Sequence, residues 1–132
     1  MKRKFLLVDD DYEDAHIFRE TLEKVDPDVL CYYALHGQDA LDKLEGQEIA
    51  IPDMIFLDIN MPAMDGWEFL QKYEAMPEAH KSSIIVIMLT TSFNPGDELK
   101  ARQIKSVKEF RNKPLTSAVL QDILKRHFPD NC

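Results

Sequence analysis

Short apolar segments alternate along this chain with stretches whose apolar residues recur at helical spacing, five of each. Residues 5–8 predict a strand that runs straight into Asp9, Asp10 and Asp11. Residues 12–25 predict a helix with Ile17, Leu22 and Val25 on its inner side. Asp11 stands where its N-cap belongs, with Asp14 three residues on. Residues 29–35 are strand-like and aromatic, 37–44 predict a short helix, and 54–57 predict a third strand ending at Asp58. Asp65 and Glu68 have capping-box spacing and open a third helix. Residues 84–89 form the most apolar segment, which predicts a strand buried on both faces. Asn94 followed by Pro95 opens a fourth helix. Residues 107–111 read as a weak, charged edge strand that Pro114 stops. Thr116 leads into a last helix with Leu120, Ile123, Leu124 and Phe128 as its apolar face.

Strands alternating with helices predict an α/β fold: a parallel sheet with helices on both faces. Ligands of such sheets bind beyond the C-terminal strand ends. The groups waiting there are Asp9 and Asp10, Asp58, Thr90 and Lys113. The 132 residues contain no repeat or linker, so one domain over 1–132 is expected. A content of 45% hydrophobic and 30% charged residues is ordinary for a soluble protein. No apolar run approaches the roughly 20 residues needed to cross a bilayer, so no membrane insertion is expected. The basic, then apolar, start is cut short at Asp9 and is not a signal peptide.

The net charge of −8 argues against nucleic acid as a direct partner. The charge is uneven: residues 1–99 carry −13 and residues 100–132 carry +5. Lys100, Arg102, Lys105, Lys108 and Arg111 hold most of the basic excess. They are either a solvated basic face or a docking patch for an acidic partner. Cys31 and Cys132 lack metal-type spacing. Reduced thiols in a cytoplasm are expected, with a disulfide left open. His16, His36, His80 and His127 share no ligand spacing and read as surface or partly packed residues.

Asp9, Asp10 and Asp58 brought together would repel, and at least one would take up a proton unless a cation neutralised them. A hard divalent ion with oxygen ligands resolves that crowding, and Mg2+ needs only one or two protein carboxylates. Lys113 adds a further positive charge. Such a layout suits Asp58 as the acceptor of a phosphoryl group, with Thr90 offering a hydroxyl to the product.

The motifs Val8-Asp9-Asp10, the run from Leu57 and Asp58 through Asn60 and Pro62 to Asp65-Gly66, Leu89-Thr90-Thr91 and Lys113-Pro114 occur in this order. Together they resemble the response-regulator receiver domains of two-component signalling, over nearly the whole chain. The resemblance implies a flavodoxin-like, doubly wound five-stranded parallel sheet in the order 2-1-3-4-5. It implies Asp58 as phosphoacceptor, with Mg2+ ligated by Asp10, Asp58 and the backbone carbonyl of Asn60, and by Asp9 through a water. Lys113 would pair with Asp58 before transfer and with the phosphoryl group afterwards, across a cis Lys113-Pro114 bond. Thr90 and Phe110 would be the switch pair, altering the face made by the fourth helix, fifth strand and fifth helix. The implied partners are a sensor histidine kinase or a histidine phosphotransfer protein upstream. Downstream stands a protein target, reached through the basic stretch. Only Pro129 to Cys132 follow the last helix, so a stand-alone, cytoplasmic receiver without an output domain is expected.

Two features depart from the common pattern: Ser106-Val107 stand where Gly-Ala is frequent, and the switch aromatic is Phe110 instead of Tyr. An aspartate-dependent phosphatase is disfavoured because Asn60 stands where such enzymes keep a second acid. The chain is therefore expected to be a phosphoacceptor, limited to its own phosphorylation and dephosphorylation. A phosphorylation-independent binding module and a flavin module are the remaining alternatives. The latter lacks a phosphate loop after the first strand.

Overall fold

The computed structural model describes residues 3–46, 48–78 and 84–129; His80 and Cys132 lie outside them. Elements alternate as β1 (Lys4–Val8), α1 (Tyr12–Val25), β2 (Leu30–Ala34), α2 (Gly37–Glu45), β3 (Met54–Asp58) and α3 (Gly66–Glu74). They continue with β4 (Ile85–Thr90), α4 (Pro95–Arg102), β5 (Val107–Asn112) and α5 (Ser117–His127). The strands form one sheet, ordered β2-β1-β3-β4-β5, and every pairing is parallel. This is the flavodoxin-like doubly wound arrangement.

Residue alternation along the strands builds two cores. Leu6, Val8, Ile55, Leu57, Val86 and Met88 face α2, α3 and α4, where Leu41, Phe69 and Tyr73 cover them. Phe5, Leu7, Met54, Phe56, Ile87 and Leu89 face α1 and α5, where Phe18, Leu22, Leu120 and Ile123 cover them. Residues on β4 beyond Ile85 are buried on both sides, as the apolar run over 84–89 predicts, and so are those of β3. The inner stripe of α1 is Ala15, Phe18 and Leu22, with Val25 packed beside it. Ile17, expected inside, is 49% exposed. Spacings of three, four and three residues from Ala15 to Val25 make the straighter stripe along one helix face, and Ile17 falls outside it.

The helix starts follow local chemistry. The Asp11 carboxylate accepts from the Glu13 and Asp14 N–H groups, and Asp65 with Glu68 forms a full capping box. Asn94 caps α4 ahead of Pro95, and Thr116 caps α5. His36 caps α2 through its ring nitrogen, 3.1 Å from the Asp39 N–H, a role its sequence context did not announce. Ser106, in the position that departs from the common pattern, donates its hydroxyl to Glu74 at 3.0 Å and ties the entry of β5 to α3.

The chain winds away from β1 in one direction to β2 and in the other to β3. The crevice at the C-terminal ends of β1 and β3 is therefore the topological switch point. Asp9 follows one of those strands and Asp58 ends the other.

Candidate functional site

Asp58 is buried, with 4% of its surface exposed. The turn after it is tight. The Ile59 N–H donates to the Leu89 carbonyl, and the Ile59 carbonyl accepts from both Met61 and Gly66. A Cβ on Gly66 would lie 2.9 Å from Ile59 Cα and 3.1 Å from the Asp58 carbonyl, so the close approach of α3 requires glycine there. Ala63 takes a left-handed φ of 66° within the same turn, a strained conformation for a residue with a Cβ.

Asp9, Asp10 and Asp58 each place a carboxylate oxygen within 4.8 Å of the others. Asp9 is buried. Its Oδ1 accepts the Asp11 N–H at 2.9 Å, and its carbonyl accepts the Tyr33 hydroxyl at 2.7 Å. Burial raises the Tyr33 phenol, helped by Asp9 and neighbouring acids, so it stays protonated as a donor. The Lys113 ammonium lies 2.9 Å from Asp9 Oδ2, 2.9 Å from Asp14 Oδ2 and 3.7 Å from Asp58 Oδ2. The lysine therefore pairs loosely with Asp58, donates a hydrogen bond to Asp9 and forms a close ion pair with Asp14. Asp14 reads from sequence as a charge favouring the start of α1. The structure makes it a partner of Lys113. The Lys113-Pro114 bond is cis, as the resemblance implies.

The electrostatics follow from this crowding. Burial, reinforced by Asp9 and Asp10, pushes the Asp58 carboxyl up to about 6, against the opposing pull of Lys113. Burial raises Asp9 as well. Burial would lower Lys113, but the close contacts with Asp9 and Asp14 and the charge of Asp58 win, and hold it above its ordinary value. All candidate cation donors are oxygens, and an excess of negative charge already strains the protonation of two of them. That donor set fits a hard divalent ion.

Thr90 ends β4 and is buried. Its hydroxyl donates to the Ser92 carbonyl at 3.2 Å and accepts the Ser92 N–H at 3.1 Å. Asn60 bridges the two strand ends: its N–H donates to Asp58 Oδ1 at 3.3 Å, and its side chain reaches Thr90 Oγ1 at 3.5 Å. The Lys113 N–H donates to the Thr90 carbonyl at 2.7 Å. Phe110 is half-buried against the α2–α4 core, its ring 5.6 Å from that of the exposed Phe93.

The five basic residues do not share one surface. Arg102, Lys108 and Arg111 line a cavity of about 320 Å3 between α4, β5 and α5. Lys100 sits over the Trp67 ring, 4.5 Å from its centre, on the α3 side. Lys105 faces the groove beside Glu74 and Glu78. Glu109, on β5, anchors a network that its sequence context concealed. Burial alone would raise its carboxyl, but hydrogen bonds from His127, Arg111 and Arg126 hold it below its ordinary value.

The chain matches the model of the response regulator receiver domain over residues 5–125. It is 31% identical over 125 residues to hybrid signal transduction histidine kinase L of Dictyostelium discoideum. That match takes in 94% of this chain and 7% of the kinase's length. Among solved structures it superposes on a two-component response regulator from Cytophaga hutchinsonii with a TM-score of 0.87 at 27% identity, covering 96% of this chain and 97% of that one. The Mn2+-bound form of response regulator Rcp1 gives a TM-score of 0.78 at 26% identity, covering 93% and 92% of the two chains. The fold and the acidic crevice define a receiver-type signalling domain. This chain belongs to the response regulator receiver domain family. Among the described residues, no helix is long and apolar enough to cross a membrane.

Proposed function

We propose that Asp58 accepts a phosphoryl group from a histidine kinase or a histidine phosphotransfer protein in a Mg2+-dependent reaction, and that the phosphorylated unit, residues 1–132, signals by protein contact. The observation that carries this reading is the buried Asp58 carboxylate. It ends a strand, with oxygens of Asp9 and Asp10 within 4.8 Å and the Lys113 ammonium at 3.7 Å. Family membership supports the kinase as donor. A cytoplasmic, reducing setting would keep the free, half-buried Cys31 as a thiol.

The cation would be held by the carboxylates of Asp10 and Asp58 and the Asn60 carbonyl, with Asp9 acting through a water. When bound it supplies positive charge to the phosphoryl oxygens. The chain's own groups do the rest. An oxygen of Asp58 attacks phosphorus in line, the new P–O bond forms, and the P–N bond to the donor imidazole breaks with its electron pair leaving on nitrogen. Lys113 holds a fixed ammonium beside the reacting oxygens. The Thr90 hydroxyl, now satisfied by Ser92, gains a stronger acceptor once a phosphoryl group stands on Asp58. Its inward move would open space for Phe110 to turn in from Phe93. That would reshape the surface between α4, β5 and α5 as a population shift. Water attack on phosphorus later restores the carboxylate and releases inorganic phosphate.

Incubation with Mg2+ and acetyl phosphate should add one phosphoryl mass to the intact protein. A chelator or Asp58→Asn should abolish the addition. Equal labelling of Asp58→Asn would remove Asp58 as the acceptor.

A further inference from the structure

We propose that Asp14 is a positioning residue that holds the Lys113 ammonium back from Asp58, and so sets how firmly the lysine grips a phosphoryl group there. The inference rests on the phosphoacceptor reading of Asp58.

An ammonium has three N–H donors. One of those on Lys113 is donated to Asp9 at 2.9 Å, and the ammonium also forms an ion pair with Asp14 at 2.9 Å, while Asp58 Oδ2 lies at 3.7 Å, outside hydrogen-bond range. The lysine is confined. Its side chain is 9% exposed, and a cavity of about 180 Å3 lined by Ile17, Phe18, Pro114 and Leu115 lies alongside it.

The two nearer acids differ in how readily they could yield. The Asp9 side chain is 2% exposed and its second oxygen is fixed by the Asp11 N–H. The Asp14 side chain is 38% exposed, so water can receive it if the lysine leaves. Asp14 is also free of another task. In a complete capping box, the acid at this position would return to the N–H of the cap residue. Here the Asp11 N–H donates to Asp9 instead, and the Asp14 carboxylate turns to Lys113. Asp14 is therefore the partner that a phosphoryl group on Asp58 must outbid for the lysine. Because it is partly hydrated, its hold is modest and readily reversed.

The test uses beryllofluoride with Mg2+, a stand-in for the phosphoryl group, titrated calorimetrically into the whole protein. Asp14→Asn keeps the side-chain shape and removes the charge. It should tighten beryllofluoride binding about three- to fivefold, the range of a partly exposed ion pair. Asp14→Glu retains a carboxylate with reach to spare and should stay near wild type. In a Lys113→Gln background the gain from Asp14→Asn should disappear, because the effect acts through the lysine. Unchanged affinity in Asp14→Asn would overturn the proposal. So would an equal gain in Asp14→Glu, or a gain that persists without Lys113, which would mark a general field effect. Wild-type protein that binds no beryllofluoride, or Asp58→Asn that binds it equally well, would instead bring down the phosphoacceptor reading and this proposal with it.

Discussion

Replacing Asp58 with Asn should make the metal-free protein more stable, although it removes the proposed acceptor. The carboxyl is pushed up to about 6 from its ordinary 3.8, mainly by burial. The folded state thus binds this proton more tightly than the unfolded chain does, and stability falls as pH rises between those two values. Each pH unit of separation is worth roughly 1.4 kcal/mol, so the ionised carboxylate costs the fold up to about 3 kcal/mol at pH 7.5. The amide avoids that cost, and its oxygen can still accept the Asn60 N–H. Lys113 loses only its most distant partner and keeps Asp9 and Asp14. In chelator at pH 7.5, Asp58→Asn should therefore melt roughly 6–12 °C higher than wild type, on the usual relation between stability and midpoint for a domain of this size. At pH 4 the two should nearly coincide. Mg2+ at ten times its Kd should raise the stability of wild type by about 1.4 kcal/mol and narrow the gap. Thermal melts followed by circular dichroism across this pH range decide the matter. A gap that is absent at pH 7.5, or equally large at pH 4, would refute the charge-crowding argument.

Gly66→Ala should destabilise by about 1–3 kcal/mol, against the usual helix preference for alanine, because the new Cβ meets backbone atoms at Ile59 and Asp58. Chemical denaturation measures the loss, and a stabilised variant would show that the turn can relax. Glu109→Gln should cost about 2 kcal/mol at pH 7 by weakening bonds to Arg111, Arg126 and His127. Because the Glu109 carboxyl is held below its ordinary value, its contribution is present above about pH 4.5 and is lost below. The gap between variant and wild type should therefore narrow as pH falls below about 4.5, as urea titrations at pH 7 and pH 3.5 would reveal. Reversing Arg102 and Lys108 to Glu should leave Asp58 labelling intact and weaken binding of an acidic output partner, because both line the cavity between α4, β5 and α5. Unchanged affinity in a pull-down with the phosphorylated protein would remove the docking role.

The legible part of this protein was its chain order. Asp9, Asp10, Asp58, Thr90 and Lys113 could be placed together because each stands at the end of a strand, and parallel winding brings those ends to one edge. Caps at Asp11, Asp65 and Asn94 were legible because each is a local matter of three or four residues. What escaped depended on neighbours distant in sequence or on a choice between equivalent local roles. Asp14 could as well have closed a capping box; only the capture of the Asp11 N–H by Asp9 sends it to Lys113. Its position on the first turn of the helix that follows the Asp9 strand end was the one available signal. Glu109 looked like an isolated acid in a basic stretch, because its partners Arg126 and His127 lie on α5. Tyr33 looked like any strand aromatic until its hydroxyl met the Asp9 carbonyl.

The stability cost at the site and its capacity to signal have one origin. Among the described residues the carboxylates of Asp9, Asp14 and Asp58 lie within 4 Å of the Lys113 ammonium, and Asp10 adds a fourth beside Asp9 and Asp58. An acyl phosphate carries roughly one negative charge more than the carboxylate it replaces. Lys113 lies 3.7 Å from Asp58 and 2.9 Å from Asp9 and Asp14, so closing on that added charge would loosen one of its two nearer contacts. Release of that acid would convert a charge change at Asp58 into motion of the lysine. The lysine's main chain is in turn bonded to the Thr90 carbonyl at the end of β4. A site with balanced charges would hold its groups more firmly, but adding a phosphoryl group would then redistribute less. The crowding that should make Asp58→Asn more stable is what would let one covalent change be felt at the edge strand β5.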